Sequence, residues 1–288
     1  MLSPAAAQVV ANAHHTCLRD VGGLVRCVGG DTTVDPPMTP VPADRFLAIA
    51  TSRRTACGVR AADGGVTCWG ACTADTCTPP EGGGFGGLAL HDDGGGCAWG
   101  AAGVACWGAA PAVHAAARAL EAVAVRQVDF GSDWGLALAE GGRVVPFGKG
   151  LGVDPAWAAL GPQASVAVAG ATGCTVDVAG VGRCRVAYGA PPPPEASGRA
   201  LGYAFSAPLG AMPACVLDAA GAAVSGRVRC TPGVKGRTPR LAGEFVELTA
   251  GDEHVCGRTA EGSVQCAGAD DRGAVSGRQE WPSVSLGG

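Results

Sequence analysis

Charge is scarce in this sequence. Lysine, arginine, aspartate and glutamate make up 16% of 288 residues, and 21 basic against 25 acidic side chains leave a formal net charge of −4. A chain with no basic field or stripe has little with which to hold a phosphate backbone or an anionic lipid surface, so nucleic acid is not an expected partner. Long apolar runs are missing too: no stretch of about 18 apolar residues exists to span a membrane. Met1-Leu2-Ser3-Pro4 lacks the charged and apolar regions of a secretion leader, so an exported form is expected to have lost one. No C-x2-C pair occurs and the five histidines are scattered, which removes the usual spacing of a zinc site; no metal and no other cofactor is expected. Only Tyr188 and Tyr203 supply tyrosine, a thin provision for a tight interface of the aromatic kind.

Cysteine and glycine, by contrast, are abundant. Fourteen cysteines point to an oxidising compartment, whether secreted, periplasmic or at the cell surface. They are spaced regularly. Cys17, Cys57, Cys97, Cys174, Cys215 and Cys256 head six similar segments, and Leu136 takes the same place in a seventh; successive intervals are 40, 40, 39, 38, 41 and 41 residues. Such a period means one supersecondary unit copied seven times. A turn signal follows each head, as in Val21-Gly22-Gly23, Asp63-Gly64-Gly65 and Glu140-Gly141-Gly142, so each unit contains a β-hairpin. A three-residue turn at Val21–Gly23 sets Cys17 opposite Cys27. The same register predicts bridges between Cys57 and Cys68, Cys97 and Cys106, Cys174 and Cys184, Cys215 and Cys230, and Cys256 and Cys266. Cys72 and Cys77 pair by elimination, and Pro146 answers Leu136 in the cysteine-free copy.

Another apolar run precedes each hairpin, for example Val9-Val10-Ala11, Phe46-Leu47-Ala48-Ile49 and Val166-Ala167-Val168. Three or four strands per unit is the arithmetic of a propeller blade. The expected fold is therefore all-β: a seven-bladed β-propeller of seven ~40-residue repeats, residues 1–288 forming a single domain. Trp281 to Gly287 reads as the opening strand of an eighth unit, expected to close the ring by terminal strand pairing with the first. Pro111 to Arg126 is Ala-rich and predicts a short helix between the third and fourth units, while Pro191 to Pro194 should run extended.

The units resemble the repeats of the regulator-of-chromosome-condensation family, in which a strand leads into Ala-Gly-x-x-His, a hairpin, Trp-Gly and a glycine-rich turn. The residues that carry the likeness are Leu248 to Cys256, Cys68-Trp69-Gly70, Cys106-Trp107-Gly108, Phe147 to Gly152 and Gly268 to Gly273. This resemblance implies the propeller fold over nearly the whole chain. Its cysteines make the chain most similar to the exported bacterial branch that contains a β-lactamase inhibitor protein, whose loops on one propeller face clamp an enzyme. For function the likeness is weak, since family members do unrelated work.

The loop before each head varies most, and the resemblance implies that such loops share one face. Candidate binding residues there are His14 and His15, Arg53 and Arg54, His91, Asp92 and Asp93, Asp133 and Trp134, Met212, and Asp252, Glu253 and His254. His15 and His254 stand where the family histidine stands and are expected to bond backbone between blades. Trp69 and Trp107 repeat with the unit and are expected in the core. Trp134 and Trp157 are read as breaking that register, which makes them candidate anchors, Trp134 as the exposed aromatic of the loop set. The expected function is a monomeric, exported module that binds a protein or small ligand through one face. The alternative is an enzyme, a lyase or hydrolase, at the axial opening of the propeller, using His15, His254 and loop carboxylates.

Overall fold

The computed structural model describes residues 6–12, 15–30, 38–170, 172–186, 199–205, 214–220, 223–231, 238–251 and 254–268. These residues form seven three-stranded antiparallel sheets, each built from a single repeat. The first sheet comprises β1 (Ala6–Asn12), β2 (His15–Asp20) and β3 (Val25–Gly29), and the second β4 (Phe46–Thr51), β5 (Thr55–Arg60) and β6 (Val66–Gly70). The third has β7 (Phe85–Leu90), β8 (Gly96–Gly100) and β9 (Gly103–Trp107), and the fourth β10 (Val125–Phe130), β11 (Trp134–Ala139) and β12 (Val144–Gly148). The fifth has β13 (Gln163–Ala169), β14 (Thr172–Asp177) and β15 (Gly182–Val186); the sixth β16 (Arg199–Phe205), β17 (Ala214–Ala219) and β18 (Arg227–Cys230). The seventh has β19 (Glu247–Ala250), β20 (His254–Arg258) and β21 (Val264–Gly268). The first strand of each sheet packs on the first strand of the next, from β1 through β4, β7, β10, β13 and β16 to β19, and β19 packs on β1.

Every predicted disulfide forms. Head and partner cysteines face each other across the middle and outer strands of six sheets, and Leu136 faces Pro146 in the fourth. Their Cα atoms lie 4.0 to 4.1 Å apart. The strand pleat turns the heads to the packed side, so Cys17, Cys57, Cys97, Cys174, Cys215, Cys256 and Leu136 are all fully buried. Bridges closing loops of 9 to 15 residues restrict the unfolded chain by about 3 kcal/mol each in the chain-entropy model. Trp69 and Trp107 lie in the core as expected.

Between sheets, polar side chains reach the open edge of the neighbouring first strand. That edge carries backbone groups which the sheet's own ladder does not use, and each needs a partner. Gln8 takes both: its amide donates to the Ile49 carbonyl at 2.9 Å and accepts from the Ile49 N–H at 3.0 Å. Gln127 does the same at Val166, and Asp129 accepts the Val168 N–H at 2.7 Å. At the junction of the seventh and first sheets, Glu247 accepts from the Val9 N–H and Thr249 Oγ1 from the Ala11 N–H at 3.0 Å. Residues 127 and 129 meet 166 and 168 as 247 and 249 meet 9 and 11, so these first strands run the same way. Their loops to the middle strands consequently share one end of the molecule.

The helix is present as α1 (Pro111–Leu120), with proline at its start and Ala112, Val113, Ala116 and Leu120 buried against the third and fourth sheets. Ring closure by strand pairing is not found among the described residues: each sheet holds strands of its own repeat alone, and the expected tail pairing at 281–287 lies outside them. What joins the first and last sheets there is side-chain contact, including Thr16 Oγ1 to His254 Nε2 at 2.8 Å. Pro191 to Pro194 also lie outside the described residues.

Leu136 fills the place of a disulfide with packing alone. Leu136→Ala should lower the unfolding free energy in non-reducing denaturant by roughly 2–5 kcal/mol, as expected for a fully buried leucine.

Candidate functional site

Two loops of the shared end come together between the second and third sheets. Arg53 and Arg54 lie in the four-residue turn from β4 to β5, which is locked by Ser52: its N–H donates to the Thr55 carbonyl at 2.7 Å and its hydroxyl pairs with the Thr55 hydroxyl at 2.7 Å. Asp92 and Asp93 lie in the turn from β7 to β8, closed by the His91 N–H on the Gly95 carbonyl at 3.0 Å. The four charged residues line one groove of about 550 Å³. Its volume falls within the span of ordinary small-ligand sites, about 300–1,000 Å³.

The groove has a built wall. Cys72–Cys77 is the one bridge that staples no hairpin, and Ala71, Thr73, Asp75 and Thr76 around it face the groove. Inside this loop the Thr73 N–H donates to Thr76 Oγ1 at 3.0 Å and the Cys77 N–H to the Thr73 carbonyl at 3.0 Å. The Trp107 indole N–H then anchors it to the third sheet through the Thr76 carbonyl, at 3.1 Å. Trp-Gly at the end of β6 shapes the opposite side. Gly70 has φ +99°, and a Cβ there would stand 2.7 Å from the Arg54 carbonyl, which also accepts from the Ala71 N–H at 2.8 Å. Only glycine lets the outer strand end so close to the arginine loop.

Electrostatically the groove is divided. Arg53 and Arg54 stand on the second sheet, Asp92 and Asp93 on the third, and Asp75 on the disulfide loop. Asp92 is held by the Asn12 amide at 2.8 Å. Asp93 is exposed and 3.9 Å from His91 Nδ1. Arg54 and Asp75 are exposed, and among the described residues no ion pair joins Arg54 to any of the three carboxylates.

The remaining predicted residues separate. Asp133 is exposed on its loop but outside the groove. His14, Met212, Asp252 and Glu253 lie outside the described residues. His91 is buried, which corrects its placement on an open face. Its Nδ1 accepts the Asp93 N–H at 3.1 Å, so the ring proton sits on Nε2 and is donated to the Ser132 carbonyl of the next sheet at 2.8 Å. His15 and His254 are also buried, and His254 bridges to the first sheet through the Thr16 hydroxyl. Neither lines the axial channel, so the enzymatic alternative loses the two histidines it was built on.

Trp134 and Trp157 require the largest correction. Trp134 is 4% and Trp157 1% exposed, and their rings stack at 6.4 Å. The Trp134 indole N–H donates to the Gly170 carbonyl of the fifth sheet at 2.7 Å, and the Trp157 N–H to the Leu151 carbonyl at 2.8 Å. Trp134 stands two residues before Leu136, as His254 stands two before Cys256. It holds the position that His254 holds in the seventh repeat and does a similar inter-sheet job. That register was visible in the sequence and outweighs the surface reading of an aromatic.

The first strands enclose an axial channel of about 390 Å³, whose ionisable lining among the described residues is Asp92, Asp129, Glu247 and Tyr203. Glu247 is pushed up by burial, against the Arg258 guanidinium that donates to it at 2.6 Å. Burial pushes the Asp129 carboxyl up to about 7, with Asp92 adding to the effect and the N–H groups of Val168 and Phe130 opposing it. Sequence reasoning missed both groups, although Gln8, Gln127 and Glu247 each stand nine residues before their head.

Sheets arrayed around an axial channel, with variable loops at one end, define a β-propeller fold. Solved structures agree. The chain is similar to the Crinkly WD40 ectodomain of the Arabidopsis thaliana receptor kinase ACR4, with TM-score 0.66 and 17% identity over 95% of this chain and 99% of that one. It is similar to human WBSCR16, with TM-score 0.54 and 15% identity over 97% and 80% of the two chains. Saccharomyces cerevisiae Prp20p, crystallised in a study of its binding to Gsp1p and histones, matches with TM-score 0.50 and 13% identity over 62% of this chain and 57% of that one. At these identities the likeness shows the fold alone. No family model and no curated protein matches the sequence.

Two outcomes test these assignments. Trp134→Phe keeps an aromatic side chain but loses half the indole and leaves the Gly170 carbonyl without its donor, and should destabilise the fold by about 1–3 kcal/mol in denaturant melts. Asp129 carries a folded pKa above its ordinary 3.8, so the folded chain alone holds that proton between the two values. Its contribution to stability is full below about pH 4 and is lost as pH rises through about 7. The melting temperature of the unaltered chain relative to Asp129→Asn should therefore fall from pH 5 to pH 8; a pH-independent difference would contradict the assignment.

Proposed function

We propose that this chain is an exported seven-bladed β-propeller, monomeric and closed into a ring, that binds a protein or ligand through its loop face. The observation that carries the reading is the groove between the second and third blades. Charges of both signs line it, beside a wall stapled by the one disulfide that the repeat does not need. Residues held rigid before binding lose less entropy on binding, and an extra covalent staple at a loop serves that purpose. Seven disulfides fit an oxidising compartment, secreted, periplasmic or at the cell surface. They accord with the exported bacterial branch that the repeats resemble. The Crinkly neighbour is itself an ectodomain, and Prp20p shows that a related fold can engage other proteins.

The test is a comparison of three immobilised forms. One is the unaltered chain. A second reverses loop-face charge with Arg54→Glu and Asp75→Lys. A third alters the opposite face at two exposed hairpin tips, Val21→Asp and Val178→Asp. Species retained from native extracellular fluid by the first and third forms should fall at least tenfold on the second. Loss on the third form with retention on the second would place binding on the wrong face.

A further inference from the structure

Resting on that reading of the loop face, we infer that the groove between the second and third blades takes a dipolar ligand, a short extended peptide carrying one acidic and one basic side chain. Its carboxylate would lie against Arg54, and its ammonium against Asp75 and Asp93. Three observations carry this. The first is separation: cationic and anionic groups occupy different walls of one groove, and Arg54 and Asp75 have no partner in the protein among the described residues. Arg54 and Asp75 are both exposed and stand on separate loops, so a charge of each sign is open to a ligand. The second is rigidity, since the Asp75 wall is held by Cys72–Cys77, by its own turn hydrogen bonds and by the Trp107 anchor.

The third is size and lining. Between the charged walls the groove is faced by Ala71, Gly94, Ala109 and Ala110, small residues that admit a main chain. A single amino acid would fill only part of about 550 Å³, whereas a segment of several residues spans both walls. A ligand of one sign would satisfy one wall and be repelled by the other, and like-charge juxtaposition at an interface is a strong discriminator.

The probes are four end-blocked tetrapeptides, acetyl-Lys-Ala-Ala-Asp-amide, its Lys/Lys and Asp/Asp counterparts, and tetra-alanine, titrated into the oxidised full chain and followed by amide NMR shifts at Arg54, Thr76 and Gly94. The Lys/Asp peptide should bind at least tenfold tighter than the other three. Arg54→Ala should weaken it at least fivefold while improving relative affinity for the Lys/Lys peptide, and Asp75→Asn should do the converse for Asp/Asp. Both substitutions are at exposed positions whose side chains hold nothing in place. Equal binding of all four peptides, or no shift at these amides with any, would overturn the inference. Should no peptide bind while loop-face charge reversal still abolishes retention of a natural partner, the dipolar ligand alone fails and the loop-face function stands.

Discussion

A β-sheet that ends at a central axis leaves one backbone edge uncovered, and how that edge is met governs the rest of this molecule. Each first strand spends half its hydrogen-bonding groups on its own middle strand; the other half point toward the neighbouring sheet. Glutamine and glutamate side chains at residues 8, 127 and 247 reach across to those groups, helped by Asp129 and Thr249 one rung further. Because the reach is sideways and repeated in the same sense, adjacent first strands are held parallel. The variable loops are thereby gathered at one end, where binding can use several of them at once.

Covalent and non-covalent fastening divide the work. Disulfides act inside the units, where a short, glycine-rich hairpin has little core of its own. Polar latches and shared apolar clusters act between them. The fourth sheet shows the division most clearly. It lacks a bridge, its head position is a buried leucine, and it is tied to the fifth sheet by Arg126, Gln127, Asp129 and Trp134 together. Placing an ionisable group among these latches couples that junction to pH, since a carboxyl pushed up to about 7 keeps its proton below that value and takes on charge above it at a cost.

Much of this architecture was legible in the sequence, for a physical reason: period, turn glycines and cysteine pairs are local constraints, and a hairpin's register follows from its own turn. Gly70 illustrates it, since its positive φ and contact with the Arg54 loop explain why Trp-Gly recurs. Trp134 as a residue type suggests a surface anchor, but its position decides: counted from Leu136, it falls where His254 falls relative to Cys256. The convergence of Arg53, Arg54, Asp92 and Asp93 could not be read from spacing, because it depends on how two neighbouring sheets sit. Nor could the part played by Cys72–Cys77, which lies outside the repeat's register and acts through the wall its loop gives the groove.

The most direct measurement of the central claim is native-state hydrogen exchange at the outward amides of the first strands. If side chains from the adjacent sheet cap that edge, Ile49, Val166 and Val168 should exchange as slowly as ladder amides of the same strands, and replacing Gln127 by alanine should release Val166 while leaving Ile49 protected. Exchange of all three at the rate of open, solvated backbone would contradict the account.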